Sequence, residues 1–135
     1  MTYAPKGRSQ IACGPGEFRF AAVGLDHGHI YGMCNGLIEA GAELVSVFDP
    51  DPLKVARFRQ TYPGAKAAGA EAEVLEDPAV QLVASAPIPC ARGPLGLRAM
   101  DHGKDYFTDK PPFTSLEQLE AARLKVADTG RIFAV

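Results

Sequence analysis

The chain has 135 residues, of which 47% are hydrophobic and 22% charged, and its formal net charge is -2. This length suits one domain with a real core and is too short for two domains of ordinary size. The weak negative charge argues against nucleic-acid binding, and no apolar stretch approaches the roughly 18 residues of a membrane span. Residues 1–17 lack the apolar core of a secretory signal. We therefore expect a cytoplasmic protein without nucleic-acid or membrane partners.

Residues 1–17 are rich in glycine and proline and predict an irregular leader. The next stretch is the most informative part of the chain. Phe18–Val23 predicts a strand, the segment Gly24–His29 a glycine turn, and Ile30–Ala40 a helix, because its apolar residues recur at three-and-four spacing. Gly41 is placed to end that helix. The apolar run Leu44–Phe48 then predicts a strand that is buried on both faces of a parallel sheet.

A turn that leads from a strand into a helix has a physical reason to bind phosphate. The first N–H groups of a helix lack partners, and the helix dipole places partial positive charge there. Asp49 follows the second strand, where a carboxylate can accept hydrogen bonds from both hydroxyls of an adenosine ribose. Because a carboxylate also repels a 2′-phosphate, this position favours NAD over NADP.

The turn departs from the dinucleotide-binding motif G-x-G-x-x-G. Aligned on Gly24, that motif needs glycine where this chain has Asp26 and His29. Asp26 beside a diphosphate is unfavourable unless its side chain points away, whereas His27 and His29 are able to donate to phosphate. Gly28 supplies a further glycine in the same turn. The alternative interpretation is a glycine turn that only lets the helix and the strand approach closely.

Neither metal binding nor disulfide bonding is predicted. Asp26, His27 and His29 are close in sequence, but such residues in one turn rarely converge on an ion without further ligands. The three cysteines form no C-x-x-C pair and are interpreted as reduced thiols: Cys13, Cys34 and Cys90.

Helices and strands continue to alternate after Asp49. Asp51 is predicted to cap a helix that has Pro52 in its first turn. A weak third strand, a short helix and a fourth strand follow at residues 65–68, 70–75 and 80–85. The fourth strand runs into a segment containing Pro87, which cannot continue a central strand.

The remainder predicts a helix over Pro94–His102, a strand over Asp105–Thr108, a helix and a last strand over Arg131–Val135. The spacing of Thr114 and Glu117 indicates a capping box at the start of the last helix, with Leu116, Leu119 and Val126 on its inner side. This alternation of strands and helices predicts an α/β fold over residues 18–135. We expect a single domain with a doubly wound parallel sheet of the Rossmann type.

Three separated stretches resemble the amino-terminal domain of the Gfo/Idh/MocA oxidoreductases, the relatives of glucose-fructose oxidoreductase and inositol 2-dehydrogenase. They are Gly24–Gly32, Leu75–Val83, and Gly103-Lys104 leading to Asp109-Lys110-Pro111. The resemblance covers roughly residues 18–135. It implies a Rossmann domain that binds NAD(P) for a dehydrogenase acting on a sugar or polyol.

The resemblance also implies roles for residues beyond the glycine turn. Lys110 occupies the position of the lysine in the family's E-K-P motif, beside the nicotinamide and the substrate, and Asp109 replaces the glutamate. A lysine there can hydrogen-bond a hydroxyl and stabilise developing alkoxide charge. Ala86 and Pro87 are expected to line the nicotinamide end of the site. The alternative for Lys110 is a solvated lysine in a loop.

Members of this family continue into a second domain that supplies most substrate contacts, and that domain is absent from this chain. We therefore expect the chain alone not to turn over substrate, because hydride transfer needs both reactants held in a fixed orientation. We also expect some self-association into a homo-oligomer through the face left uncovered. The competing interpretations are a nucleotide-binding or regulatory module without catalysis and a structural domain that has lost dinucleotide binding. The substrate cannot be identified from this sequence.

Overall fold

A computed structural model describes residues 10–135, which form a six-stranded parallel sheet and five helices. The strands are β1 (Arg19–Val23), β2 (Glu43–Phe48), β3 (Lys66–Ala67), β4 (Leu82–Ser85), β5 (Asp105–Thr108) and β6 (Phe133–Ala134). The helices are α1 (His29–Glu39), α2 (Pro52–Thr61), α3 (Glu71–Leu75), α4 (Pro89–Asp101) and α5 (Leu116–Thr129). The strand order β3-β2-β1-β4-β5-β6 confirms the predicted doubly wound Rossmann sheet.

The central strand β1 builds the core on both faces of the sheet because successive side chains point to opposite sides. Phe20 and Ala22 pack with α1 and α2 on one face, where Ile30 is fully buried. Ala21 and Val23 pack with α3 and α4 on the other face. Burying a side chain such as Ile30 contributes about 1.5–3 kcal/mol, so these two apolar layers hold the helices against the sheet.

The strand register brings the predicted site together at one edge of the sheet. Val23 pairs with Phe48, so the residues that follow them, Gly24 and Asp49, lie at the same level. Ser85 likewise pairs with Thr108, which brings Asp109 to the same edge. The carboxyl ends of these four strands therefore carry the glycine turn, both carboxylates and the loop after β4.

Helix α4 begins earlier than the sequence predicts. It starts at Pro89, and Pro94 lies inside it, whereas the sequence placed the start of the helix at Pro94. A proline inside a helix leaves the carbonyl four residues earlier without its donor. Here the side-chain amide of Gln118, on α5, donates to the carbonyl of Cys90 at 3.3 Å. A contact from another helix thus replaces the bond that Pro94 removes.

The cap of α5 lies one residue later than the predicted capping box at Thr114 and Glu117. Ser115 is the N-cap, and its hydroxyl accepts from the backbone N–H of Gln118 at 3.2 Å. Leu116 is exposed, so the predicted inner face of the helix is wrong at that position, whereas the partly exposed Leu119 and Val126 line a groove together with Ala122. The buried residue of α5 is Ala122.

Two further features are the glycines along α1 and the leader. The outer face that carries Gly28, Gly32 and Gly36 is open, because a Cβ atom at each position would meet no atom within 4 Å. Residues 10–17 contain no helix or strand, and the N–H of Ala12 donates to the carbonyl of Ala40 at 2.7 Å. The first part of the predicted leader, residues 1–9, lies outside the described residues.

None of the helices within residues 10–135 has the length and apolar character needed to cross a membrane.

Candidate dinucleotide site

The candidate site lies where the strand order reverses, between β1 and β4. In open α/β sheets this switch point forms a crevice at the carboxyl ends of the strands. A cavity of about 340 Å³ occupies the crevice, and its lining includes Gly24, Asp49, Pro87, Ile88 and Arg98. The glycine turn, the end of β2 and the loop after β4 therefore meet around one space.

Asp49 is fixed by the main chain. One carboxylate oxygen accepts from the N–H of Leu25 at 2.7 Å, and the other accepts from the N–H of Asp51 at 2.8 Å. The residue is only 6% exposed, yet it lines the cavity in the crevice and a second cavity beside α2. These contacts hold the carboxylate at the tip of β2, where the sequence placed it.

Gly24 is required by both its conformation and its surroundings. Its φ of +81° lies in the left-handed region, and a Cβ atom would approach the Cβ of Pro87 to 2.8 Å. The N–H of Ala86 also donates to the carbonyl of Gly24 at 3.0 Å. The close approach of the glycine turn to the loop after β4 therefore needs glycine at this position.

The Asp26 side chain avoids the charge conflict that the sequence raised. One carboxylate oxygen pairs with the Lys54 ammonium, and the other accepts from the N–H of Ile88 at 3.0 Å. The hydrogen bond from Lys54 is the main cause that holds the pKa of the Asp26 carboxyl below its usual range. The charge of Asp26 is thus neutralised by Lys54 on α2, and its contact with Ile88 links the glycine turn to the start of α4.

The other end of the crevice contains a cluster of His27, His29 and Asp109. The Nδ1 atom of His29 lies 3.0 Å and 3.1 Å from the two carboxylate oxygens of Asp109, and His27 Nδ1 lies 3.5 Å from the second oxygen. The two imidazole rings are tilted, with their centroids 4.1 Å apart. Both histidines were predicted to contact phosphate, and neither was predicted to contact Asp109.

Arg92 is a buried residue of this region that sequence reasoning missed. Its side chain is 3% exposed, with Nη2 at 3.6 Å from Asp109 Oδ2. The guanidinium also donates to the carbonyls of Pro87 at 2.8 Å and Pro111 at 3.3 Å. An arginine near the start of a predicted helix carried no signal of this role, because its partners come from two distant loops.

Several groups set the ionisation of Asp109. Burial by itself raises the pKa of this carboxyl, but the hydrogen bond with His29, the backbone N–H of Lys110 and the charge of Arg92 outweigh it. The pKa of Asp109 is therefore held below its ordinary value, and the carboxylate is ionised near neutral pH.

Hydroxyl groups behind the cluster join β4, β5 and α4. The Tyr106 hydroxyl donates to the carbonyl of Arg92 at 2.7 Å, and Ser85 Oγ lies 2.6 Å from the Tyr106 oxygen and 3.0 Å from Thr108 Oγ1. All of these side chains are buried. A satisfied buried network of this kind makes the strand ends rigid.

The remaining predicted site residues lie around the same edge. Ala86 is buried, and its carbonyl accepts from the N–H of His27 at 2.9 Å. Gly28 is exposed at the start of α1. Lys110 is exposed and follows Asp109, and within residues 10–135 no hydrogen bond or ion pair involves its ammonium group.

Comparison with known proteins agrees with this geometry. Residues 18–135 match the Gfo/Idh/MocA oxidoreductase family, which is described by its NAD-binding Rossmann fold. The scyllo-inositol 2-dehydrogenase (NAD(+)) of Bacillus subtilis (strain 168) is 32% identical over 120 residues, which cover 88% of this chain and 35% of that protein.

Solved structures give the same result. A crystal structure of a protein named as an oxidoreductase from Erwinia carotovora atroseptica SCRI1043 is 50% identical with a TM-score of 0.85, covering 88% of this chain and 36% of that one. The WlbA dehydrogenase of Chromobacterium violaceum, solved with NADH and UDP-GlcNAcA, shares the fold at 22% identity with a TM-score of 0.76. That match covers 93% of this chain and 38% of that one.

The chain spans about a third of the length of these relatives. The match over residues 18–135, the strand order and the crevice at the switch point agree with one another. The chain therefore belongs to the Gfo/Idh/MocA oxidoreductases and is an NAD(P)-binding Rossmann domain of that family.

Proposed function

We propose that this domain binds NAD in the crevice between β1 and β4 and serves a dehydrogenase that acts on a hydroxyl group of a sugar or polyol. The observation that carries the proposal is the placement of Asp49. Its carboxylate is held by two backbone N–H groups at the tip of β2 and lines a cavity of about 340 Å³. This is the arrangement that receives an adenosine ribose in Rossmann domains.

The charges around Asp49 support NAD over NADP. Asp26, Asp49 and Asp51 are three carboxylates close together in this part of the crevice, and the nearby Lys54 ammonium is paired with Asp26. A 2′-phosphate would carry further negative charge into this region, whereas ribose hydroxyls would donate to Asp49. The preference for NAD follows from that difference.

The start of α1 supports diphosphate binding despite the altered glycine motif. Its 11 residues give a helix dipole directed at the crevice, and Gly28 leaves the approach to its first turn open. The side chain of Asp26, which would repel phosphate, pairs with Lys54. The substituted positions of the motif therefore remain compatible with an anion at the helix terminus.

Lys110 is the residue that we propose contacts the substrate in the whole protein. Its ammonium group is exposed beside the end of β5. We assign this end of the crevice to the nicotinamide, where bound NAD would accept the hydride. Lys110 would hydrogen-bond the reacting hydroxyl and stabilise the developing alkoxide charge. Arg92 and the buried hydroxyl network would keep the loop that carries Lys110 in place.

The polyol part of the proposal rests on family membership and on the 32% identity to an inositol dehydrogenase. The chain covers 35% of that relative, so turnover is proposed for the whole protein. The second candidate is a nucleotide-binding module without catalysis. The contact of His29 with Asp109, in place of a glycine beside the phosphates, favours that candidate.

Calorimetric titration of the chain with NAD and with NADP tests the proposal. We expect NAD to bind at least about 10-fold more tightly than NADP, since the 2′-phosphate of NADP would place roughly two further negative charges next to a carboxylate. Asp49→Ala should weaken NAD binding by about 10-fold or more and remove the preference. Asp49→Asn, which keeps the side-chain shape, should also reduce the preference.

The matched control is Asp128→Ala, which removes an exposed carboxylate on α5 and should leave both affinities unchanged. Thermal unfolding of each variant establishes that it is folded. Failure of the folded wild-type chain to bind either nucleotide would contradict the proposal. Equal binding of NAD by the wild type and by folded Asp49→Asn and Asp49→Ala variants would contradict the role of Asp49.

A further inference from the structure

Three potential metal ligands from distant parts of the sequence converge at the β5 end of the crevice. His27 and His29 lie before and at the start of α1, and Asp109 follows β5, 80 residues after His29. One ligand atom from each residue, an imidazole nitrogen or a carboxylate oxygen, lies within 4.8 Å of the other two. The glycine turn alone does not supply this set, because Asp26 points toward Lys54.

The spacing of the ligand atoms fits a small tetrahedral ion. Zinc binds imidazole nitrogen and carboxylate oxygen at roughly 2.0–2.2 Å, so neighbouring ligands of a tetrahedral site lie roughly 3.3–3.5 Å apart. From the same oxygen, Asp109 Oδ2, His29 Nδ1 lies 3.1 Å away and His27 Nδ1 lies 3.5 Å away. Small rotations of the exposed rings would therefore complete the coordination geometry without moving the backbone.

The surroundings hold the ligands in place. The Asp109 N–H donates to the carbonyl of Ser85 at 3.1 Å, and Arg92 approaches the carboxylate from the buried side. The backbone N–H of His29 donates to His27 Nδ1 at 3.1 Å, which orients the His27 ring, and an ion bound at this nitrogen would take the place of that hydrogen bond. Partners of this kind orient metal ligands in proteins.

Access and charge define the kind of site. The His27 and His29 side chains are 51% and 54% exposed, so an ion can enter from solvent, whereas Asp109 is 9% exposed. Three protein ligands with solvent access match the zinc sites that keep a fourth position for water or substrate. Two nitrogens and one oxygen favour Zn²⁺, Co²⁺ or a similar transition metal over Mg²⁺ and Ca²⁺, which prefer oxygen ligands.

We propose that His27, His29 and Asp109 form a binding site for a divalent transition metal ion, with Zn²⁺ as the best match. The site lies next to Lys110, and an ion there would present its open position to a hydroxyl group at the same end of the crevice. Metal binding by these three side chains does not require dinucleotide binding, so either proposal can fail without the other. The sequence predicted no metal site, because the turn alone offers too few ligands. The structure adds Asp109 as the third ligand.

The test is a titration of the chelator-treated chain with Co²⁺, followed by visible absorption, and with Zn²⁺, followed by calorimetry. We expect one ion per chain and the strong visible bands of tetrahedral Co²⁺, with no comparable response to Mg²⁺. His29→Ala and His27→Ala should each weaken binding about 100-fold or more, because loss of a ligand exceeds the 10- to 100-fold effect of an outer partner. Both side chains are half exposed, so these variants should fold.

Matched controls are available in the chain. His102 is the third of its three histidines and lies at the end of α4, where Nδ1 contacts the carbonyl of Arg98 at 2.8 Å. His102→Ala and Cys90→Ser, which removes an exposed thiol, should leave binding unchanged. His29→Gln provides a second variant with a polar side chain of similar reach, and it should also lose the Co²⁺ bands.

Two results would overturn the proposal. One is the absence of stoichiometric Co²⁺ and Zn²⁺ binding to the folded wild-type chain, which would leave the cluster as an ion pair between imidazole and carboxylate. The other is binding that survives in His29→Ala and His27→Ala but is lost in His102→Ala or Cys90→Ser, which would locate the ion elsewhere.

Discussion

Asp49 and Asp109 lie at the same edge of one sheet, both almost buried, but different parts of the chain hold them. The oxygens of Asp49 accept hydrogen bonds from backbone N–H groups, those of Leu25 and Asp51. The oxygens of Asp109 lie mainly against side chains, those of His27, His29 and Arg92, and the backbone N–H of Lys110 adds one hydrogen bond. The first carboxylate is therefore positioned by the fold itself, and the second by the identity of a few residues.

The two arrangements differ in how many particular residues each one requires. Any sequence that forms the β1-α1-β2 unit with an aspartate after β2 can present a carboxylate as Asp49 does. The Asp109 cluster needs two histidines from one loop and an arginine from another helix. The Asp49 end therefore depends mainly on the fold, and the Asp109 end depends on side chains from separate parts of the chain.

Two thiols of the chain lie in contrasting environments, and the difference in their reactivity is the largest effect that we expect. Cys34 on α1 is fully buried, and burial raises its pKa to about 12, whereas Cys90 at the start of α4 is exposed. At about pH 8, roughly 1 in 10⁴ Cys34 side chains is a thiolate. A thiol reagent added to the native chain should modify Cys90 and leave Cys34 unmodified, as measured by peptide mass spectrometry. Rapid modification of Cys34 would show that α1 does not seal the core.

Replacing Arg92 tests whether side chains hold the Asp109 region. Arg92→Met keeps much of the side-chain volume but leaves the Asp109 carboxylate without its buried cation and two carbonyls without donors. We expect the free energy of unfolding to fall by about 3–5 kcal/mol, as when one partner of a buried ion pair is removed. Urea denaturation measures the change.

The matched control for Arg92 is Arg98→Met on the same helix. Arg98 pairs with Glu71 at 2.8 Å near the surface, with its side chain 49% exposed. A surface pair contributes at most about 1 kcal/mol. Equal losses for the two variants would contradict the structural role assigned to Arg92.

Replacing Asp49 should lower the free energy of unfolding by less than replacing Arg92, because the main chain around Asp49 remains in place. Asp49→Asn keeps one acceptor oxygen but presents an amide to the other backbone N–H group. We expect a loss of about 1–3 kcal/mol in the free energy of unfolding, the cost of one unsatisfied buried donor. A loss equal to that of Arg92→Met in the same denaturation experiment would remove the contrast between the two regions.

Lys110 should have the smallest effect on stability. Its side chain is exposed, and within the described part of the chain it takes part in no ion pair. Lys110→Ala should change the free energy of unfolding by no more than about 0.5 kcal/mol. In the whole protein the same variant should lower kcat sharply with the unfolding transition unchanged. Unfolding of the domain by this substitution would assign Lys110 a structural role.

The sequence was sufficient to predict the sheet and the Asp49 end because both depend on local patterns. Strand β5 has its predicted bounds, and Asp49 could be located from the end of an apolar run. The start of α4 could not be found in this way, since Gln118 on another helix supplies the hydrogen bond that Pro94 removes. The inner face of α5 was wrong at Leu116, since apolar spacing alone does not show where along its length a helix is covered by its neighbours.

The Asp109 cluster could not be predicted for a related reason. His27 and His29 were recognised as chemically distinctive, but their partner lies about 80 residues away in the sequence. Arg92 reaches Asp109, Pro87 and Pro111 through the packing of α4 against two loops. Pairing of this kind depends on how the loops fold over the strand ends, which periodicity does not encode.

We propose that the crevice has an adenosine end at Asp49 and a nicotinamide end at Asp109. Backbone amide shifts of the ¹⁵N-labelled chain, recorded with AMP, with nicotinamide mononucleotide and with NAD, test it most directly. We expect AMP to shift the amide signals of residues around Asp49, the mononucleotide to shift those around Asp109 and Lys110, and NAD to shift both sets. Shifts confined to one end with all three ligands, or none near Asp49 with NAD, would contradict it.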